Sequence, residues 1–433
     1  MNLPSKPVFW AVSLGHMVND IFMSMRSVVL TFISAYVLPI TNAQIGLAIS
    51  LGELMGALSQ PFFGLLADRT GGRWVGAIGV AWTVSGILIA MLVVMAGGGF
   101  WLMLIPLSLA ALGSGAFHPV GSMHAADAEK FRAASNTALF FMFGQIGLGL
   151  GPALAGLALN HAHTSYNALF ATPLGPAFKG IFIESGTVAP VLALGLLAIP
   201  AVALMAIFIP DRAAHTAARP APAPAAALTP RRPLSLPLGM LGILVAAVIF
   251  RSLANPATVS FIPRMFQAKG WTPAEYGLLA SSFWIASGLA GVFFGYVANR
   301  VDVRYVITGA LLLAAPAIFL LPGLDGGLAF ALAIAAGGLS GGSHSLIVVL
   351  AQGLLPGRKG FASGAILGLI FATGAIGNLV IGALADRVGV ANAFHIVAVV
   401  LVATCGLWLL LPAPKRERPP VEPLPEPAPS RAA

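Results

Sequence analysis

The sequence predicts an all-α membrane protein, with twelve transmembrane helices arranged in two pseudo-symmetric six-helix bundles. Three observations lead there. Of the 433 residues, 58% are hydrophobic and only 9% are Asp, Glu, Lys or Arg, against roughly 25% charged residues in a soluble domain, so the chain cannot cover itself with a water-facing surface. Apolar windows of about 20 residues, the length that crosses a hydrocarbon core of about 30 Å, recur along it. The two halves also repeat their polar landmarks at a nearly constant offset.

In chain order the predicted spans are 8–38, 44–67, 74–97, 101–124, 134–159, 187–209, 237–264, 273–298, 304–322, 328–354, 360–386 and 390–412. Span one carries His16, Asp20 and Arg26 inside it. It is too long and too polar for a cleaved signal peptide and is predicted to be a permanent span. With the N-terminus placed in the cytoplasm, only Lys179, Arg264, Lys269 and Arg387 fall in outer loops, and Arg26 and Arg251 within spans. The rest of the 23 Lys and Arg lie in inner loops and tails, which predicts cytoplasmic termini by the positive-inside rule. The +9 net charge is therefore an orientation signal rather than a nucleic-acid footprint, because no basic stripe interleaved with aromatics accompanies it. The single cysteine, Cys405, excludes a disulfide framework and a Cys-based cluster.

The domain reading is an N-terminal bundle at 1–209, a Pro/Ala/Arg-rich cytoplasmic linker at 210–236, a C-terminal bundle at 237–412 and a disordered cytoplasmic tail at 413–433. The bundles echo each other. Gly64-x-x-x-Asp68-Arg69-x-Gly71-x-Arg73 after span two matches Gly295-x-x-x-Asn299-Arg300-x-Asp302-x-Arg304 after span eight. Ser114-Gly115-x-x-His118 matches Ser340-Gly341-x-x-His344, and Arg26-Ser27 matches Arg251-Ser252. Gly156-x-x-x-Asn160 and Gly382-x-x-x-Asp386 close spans five and eleven, as expected for three-helix units repeated within each half.

Over these motifs the chain resembles the major facilitator superfamily along essentially its full length outside the linker and tail. The loop motif at Gly64 to Arg73 fits the superfamily pattern at every defining position, while the second copy is degenerate at Asn299 and Asp302. His16-Met-Val-Asn19-Asp20 and Gly113-Ser-Gly-Ala-Phe117-His118-Pro119 narrow the resemblance to the fosmidomycin resistance group of bacterial drug exporters. That resemblance implies proton-driven efflux of a small phosphonate or similar compound, without ATP. Gly147-x-x-x-Gly151-Pro152 is similar to the antiporter motif of superfamily exporters, with Ala138 and Ala155 standing where that motif has glycine. By resemblance, Asp68, Arg69 and Arg73 form a cytoplasmic gate that ties the halves together when the site opens outward. Helix capping and topology are the alternative role for these three.

The residues themselves supply a mechanism. A charge near the bilayer centre costs about 3 kcal/mol on insertion scales, and Asp20, Arg26, Glu53 and Arg251 all lie deep in spans. Arg26 and Arg251 occupy equivalent positions in the two halves, so a pseudo-two-fold axis would place them on opposite walls of one hollow. Two guanidinium forks suit a phosphate, phosphonate or carboxylate. His118 and His344, each with Ser114 or Ser340 one turn earlier, and Asn19 and Asn255 on the arginine faces complete the candidate substrate site. In the competing reading the arginines merely neutralise Asp20 and Glu53 inside the bundle.

Proton coupling needs a group that titrates in the working range, which histidine does near pH 6.5 and a desolvated carboxylate can be shifted to do. Asp20 is the first candidate, followed by Glu53, with His118 and His344 open as alternatives and His16 one turn from Asp20. Deprotonated Asp20 is expected to satisfy part of the arginine charge when the anion is absent. No phosphate-binding Gly-rich motif and no nucleophile-base constellation is visible, so neither an ATP-driven pump nor an enzyme is expected. His161-x-His163 is too sparse for a metal site.

The expectation is a monomeric transporter in a bacterial inner membrane, needing no cofactor beyond a proton gradient. Its partners are a small, anionic solute and the lipid bilayer, with no nucleic acid. The alternatives are an organic-anion or phosphate-ester carrier or exchanger, and a membrane sensor that binds without translocating.

Overall fold

The computed structural model describes residues 4–129, 133–170, 188–210, 238–298, 300–354 and 359–412, and every element among them is helical. In chain order these are α1 (Pro7–Tyr36), α2 (Asn42–Thr70), α3 (Arg73–Met95), α4 (Phe100–Asp127), α5 (Ala133–Phe170) and α6 (Ala189–Phe208), the last with a 3-10 turn at Gly195–Leu197. There follow α7 (Leu238–Ala268), α8 (Pro273–Ala298), α9 (Val303–Leu320), α10, α11 (Lys359–Val388) and α12 (Val390–Leu409). α10 begins as Gly326–Ala336, passes through a π-turn at Gly337–Gly341 and continues as His344–Leu354. Apart from Pro210, the predicted linker lies outside the described residues, as do the tail and the loop around Lys179.

Among the described residues eleven helices are long and apolar enough to cross a bilayer. α2 is the twelfth of the series, and its 29 residues include Ser50, Glu53, Ser59, Gln60 and Asp68, which lower its apolarity. Its ends are well specified. Thr41 accepts from the Gln44 amide while the Gln44 side chain accepts from the Thr41 amide, and Gly71 closes the helix in the left-handed region at φ 82°.

Packing repeats between the halves as the sequence echoes predict. α1 lies on α5 as α7 lies on α11, and α6 packs on α1 and α3 as α12 packs on α7 and α9. The halves meet mainly through two helix pairs, α2 with α11 and α5 with α8, with α1 also touching α7 and α8. The covered face of α2 runs through Asn42, Gly46, Ser50 and Glu53, where the Ser50 hydroxyl donates to the Ala375 carbonyl at 2.5 Å. Farther along that face Pro61 and Asp68 are exposed, so the contact is confined to one end and the middle of the molecule.

Polarity is distributed as a bilayer demands. Asn19, Asp20, Arg26, Arg251 and Asn378 are buried, whereas Leu58, Leu289, Val292 and Trp101 are exposed. A polar interior needs close helix approach to be satisfied, and small residues provide it. A Cβ added at Gly147 of α5 would run into the Met17 carbonyl of α1, and at Gly151 into that of Ile21. Gly147→Val is therefore expected to lower the stability of the purified protein by roughly 1–3 kcal/mol, as overpacking does. The check is thermal unfolding in detergent, with Leu150→Val on the exposed side of the same helix unchanged.

Candidate functional site

α1 places His16 and Asp20 one turn apart, and α4 places Ser114 and His118 one turn apart against them. His16 Nε2 lies 3.3 Å from Asp20 Oδ2, and His118 Nε2 lies 3.7 Å from Asp20 Oδ1. Asn19 Nδ2 donates to Asp20 Oδ1 at 2.9 Å and to Ser114 Oγ at 3.0 Å. The outer nitrogens of both rings are held by backbone. His16 Nδ1 lies 2.9 Å from the Phe140 carbonyl of α5, and His118 Nδ1 lies 2.8 Å from the Ser114 carbonyl.

A carbonyl oxygen can only accept, so these contacts assign the proton to Nδ1 in each ring. A neutral histidine in that tautomer presents a bare lone pair at Nε2, and an ionised Asp20 presents only lone pairs in return. The 3.3 Å contact is a hydrogen bond only when a proton sits between the groups, on His16 or on Asp20. The ring of His16 is stacked on Phe140 at 4.2 Å and meets His118 edge-on at 5.0 Å. His118 keeps 26% of its side chain accessible, so the cluster is open on one side. His16, Asp20 and His118 are also the grouping among the described residues that offers three potential metal-ligand atoms, all within 4.8 Å of one another. Only the shortest of these gaps, at 3.3 Å, is one that a shared proton closes directly.

The two arginines lie elsewhere in the interior. Arg26, 6% exposed, donates from Nε to the Met23 carbonyl at 2.8 Å, and its Nη1 has no partner among the described residues. Gly52 of α2 makes room for that guanidinium, since a Cβ there would collide with Nη1. Beside it, Glu53 accepts from Asn378 Nδ2 of α11 at 3.2 Å, a link between the halves in mid-bundle. Arg251, 1% exposed, donates from Nη2 to the Ser340 carbonyl at 2.7 Å, and its Nε has no partner among the described residues. Ser343 donates to the same carbonyl at 2.7 Å, in the break that follows the π-turn of α10. Among the described residues no carboxylate lies within 4 Å of either guanidinium, so the arginines are not sealed in ion pairs.

Several expectations need correction. Asp20 is engaged by His16, His118 and Asn19, and so does not stand in for an anion at Arg26. The carboxylate whose charge Arg26 feels is Glu53. Asn19 shares a face with Arg26 by helical phase, yet its amide turns toward α4. Ser340 is not a match for Ser114, because its hydroxyl donates to the Ala336 carbonyl of its own helix at 2.5 Å. His344 has Arg251 as its charged neighbour and no carboxylate within 4 Å among the described residues. The two positions that correspond to His16 and Asp20 at the offset of the arginines are Leu241 and Val245, which leaves His344 without an acid. The side chain of Asn255 lies outside the described residues.

At the loop motif, Arg73 Nε donates to the Ile209 carbonyl at the end of α6 at 2.6 Å, and His124 Nε2 meets the Gly71 carbonyl at 3.0 Å. Asp68 and Arg69 are exposed and have no hydrogen-bonded or ionic partner among the described residues. Sequence reasoning missed Asn378, Ser343 and the carbonyl of Phe140. Asn378 was detectable as a polar residue inside an apolar span, but the other two reveal themselves only through tertiary contacts.

Comparison with known proteins agrees with the fold. Residues 12–267 and 244–432 match the Major Facilitator Superfamily. The chain is 28% identical over 391 residues to the fosmidomycin resistance protein of Escherichia coli (strain K12), covering 90% of this chain and 89% of that protein. It is 38% identical over 133 residues to the uncharacterized MFS-type transporter YfnC of Bacillus subtilis (strain 168), covering 30% of this chain and 32% of that one. In fold it is similar to the crystal structure of a bacterial homolog to the human lysosomal transporter Spinster in an inward-facing and occupied conformation, with a TM-score of 0.74 at 15% identity over 93% of this chain and 96% of that one. The chain belongs to the major facilitator superfamily and is a multi-pass membrane transporter, not an enzyme.

Proposed function

We propose that this transporter exports a small anionic compound, a phosphonate or related metabolite, in exchange for protons by alternating access in a bacterial inner membrane, with both termini cytoplasmic. It works as a monomer, with the proton gradient as its only energy source. The observation that carries the reading is the His16–Asp20–His118 cluster, which a shared proton would close, on the same helix as a buried guanidinium whose Nη1 has no partner among the described residues. The similarity to a fosmidomycin resistance protein supports a phosphonate as cargo and efflux as direction.

Each group has a part. Arg26 and Arg251 bind the anion from the two halves, drawing on donors that have no protein partner. Asp20 and His16 hold the proton, and His118 is positioned to receive it from the open side. The two events are joined by α1, on which Asp20 and Arg26 are six residues, about 9 Å of rise, apart. When α1 moves to bring Arg26 onto the anion, Asp20 is drawn away from His118 and the proton leaves. Reprotonation draws the cluster together again and releases the anion. Glu53 and Asn378 make a mid-bundle link between the halves that this movement strains.

A second reading also fits the unpaired arginines, since a cationic site takes an anion from either side. It is an organic-anion or phosphate-ester carrier that moves anion with a proton or exchanges anions. Flux in proteoliposomes separates the two. Under an imposed pH gradient, phosphonate movement against the direction of proton flow supports exchange, whereas co-directional movement, or anion exchange without protons, supports the second reading. Binding without flux would indicate a sensor.

Arg26→Ala and Arg251→Ala are each expected to weaken phosphonate binding roughly 10–100-fold, the loss of a charge-assisted hydrogen bond worth about 1.5–3 kcal/mol; calorimetry on purified protein is the check. Asp20→Asn is expected to abolish pH-driven flux while sparing anion binding, and pH-driven flux at the normal rate would remove Asp20 from the mechanism. Gly52→Ala displaces the Arg26 guanidinium and is expected to weaken anion binding without loss of pH-dependent quenching by protons in the empty protein, read as proton uptake on acid jump.

A further inference from the structure

The end of the molecule at which the halves touch carries a feature that the loop-motif gate does not account for. The first turn of α2 has two amides, those of Asn42 and Ala43, that its own capping box does not reach, because Thr41 and Gln44 satisfy each other. Both are taken by one carboxylate from the opposite half. Asp386, at the end of α11, accepts from the Asn42 amide at 2.9 Å on Oδ1 and from the Ala43 amide at 2.8 Å on Oδ2. Arg264 of α7, also from that half, donates from Nε to Asn42 Oδ1 at 3.0 Å and places its charge near Asp386. The approach is close, since a Cβ at Gly382, one turn before Asp386, would strike the Asn42 carbonyl.

The internal repeat contains a natural comparison. α8 opens with Thr272-Pro273-Ala274-Glu275, where α2 opens with Thr41-Asn42-Ala43-Gln44, and Thr272 and Glu275 form the same capping box. Gly156 of α5 meets the Pro273 carbonyl as Gly382 meets that of Asn42. Four residues beyond Gly156 stands Asn160, where Asp386 stands four beyond Gly382. At this second junction Pro273 has no amide hydrogen to offer, and no charge is supplied. The acceptor is charged only where both donors exist. Mere packing does not explain that match.

We propose that Asp386 is the outer gate of the transporter: its carboxylate caps α2 across the boundary between the halves, with Arg264 as its positioning residue, and holds the outer end shut. The assignment rests on alternating access and on the orientation set by the positive charges. Opening outward transfers two exposed amides and a carboxylate to water, a small loss, so the latch biases the equilibrium without locking it. It also gives the outer end a counterpart to Asp68, whose motif closes α2 at the other end with the same Gly-x-x-x-Asp-Arg run.

Distances between spin labels test this in full-length protein in lipid nanodiscs, with Cys405→Ala to remove the native thiol. One pair, Ala96→Cys with Gly327→Cys, reports the outer end, and a second, Thr70→Cys with Val301→Cys, the inner end. Asp386→Ala is expected to raise the ratio of outer-open to outer-closed molecules about fivefold, the equivalent of about 1 kcal/mol at an exposed helix N-terminus. Asp386→Glu should restore the wild-type ratio, and Arg264→Gln should shift it the same way as Asp386→Ala by a smaller factor. Asn160→Asp should move it by a smaller factor than Asp386→Ala does, because Pro273 leaves a carboxylate only the Ala274 amide to cap. Two distance populations whose ratio ignores Asp386→Ala and Arg264→Gln would overturn the gate while leaving alternating access intact. A single population under every pH and phosphonate concentration would overturn both. If Asp386→Ala fails to give monodisperse protein, the Arg264→Gln and Asn160→Asp pair decides alone.

Discussion

A charged or hydrogen-bonding side chain in hydrocarbon has no water to turn to, and the arrangement of this bundle follows from where such groups find partners instead. α1 carries His16, Asn19, Asp20 and Arg26, all of them buried. It must therefore be covered on most sides, and it is, by α4, α5, α6 and α7. Close cover requires small residues on the covering helices, which is why α5 presents Gly147 and Gly151 to α1 and why α2 presents Gly52 to Arg26. The glycine pattern that looks like a family motif in sequence is, in space, the shape of the polar cargo of one helix.

The same constraint explains why the proton cluster is held by backbone. Had the outer nitrogens of His16 and His118 faced side chains alone, a rotation of those partners could have exchanged donor for acceptor, and the tautomer would drift with conformation. The Phe140 carbonyl cannot donate to His16, and at His118 Nδ1 the Ser114 carbonyl at 2.8 Å lies closer than the Ser114 hydroxyl at 3.3 Å, so each ring keeps its proton on Nδ1 and offers Nε2 to Asp20. What each ring offers Asp20 then stays fixed, and the cluster changes through the shared proton and the separation that proton sets.

How much of this was legible in sequence depended on whether a property lay along a helix or between helices. Span positions, the loop motif and the buried polar residues Asp20, Arg26 and Arg251 are properties of the one-dimensional pattern, and the helices and the burial of these side chains agree with it. Helical phase also placed Asn19 correctly on the face of Arg26, yet its amide turned to Ser114 of another helix, because rotation about a side-chain bond is decided by what packs opposite. The repeat suggested matched roles for His118 and His344. It misled because symmetry of the backbone does not carry symmetry of partners: Leu241 and Val245 stand where the first half has His16 and Asp20. The π-turn that frees the Ser340 carbonyl for Arg251 has no signature beyond a run of glycine and serine, and it could not have been told from ordinary helix-packing residues.

Charge balance without charge pairing is what distinguishes this interior from an inert one. Arg26 and Arg251 are matched in number by the carboxyl groups Asp20 and Glu53, which makes burial of the two cations tolerable. In direct contact, two opposite charges 4 Å apart attract by about 4 kcal/mol at an effective dielectric of about 20, enough to make each pair a closed structural unit that neither an anion nor a proton would readily enter. Here neither guanidinium has a carboxylate within that distance among the described residues, Asp20 is turned to imidazoles, and Glu53 is turned to an amide on the opposite half. Attraction persists at a longer range and keeps the charges buried, but each guanidinium still has a donor without a partner among the described residues. A transporter needs that condition, because ligands that come and go must complete contacts that the protein leaves open.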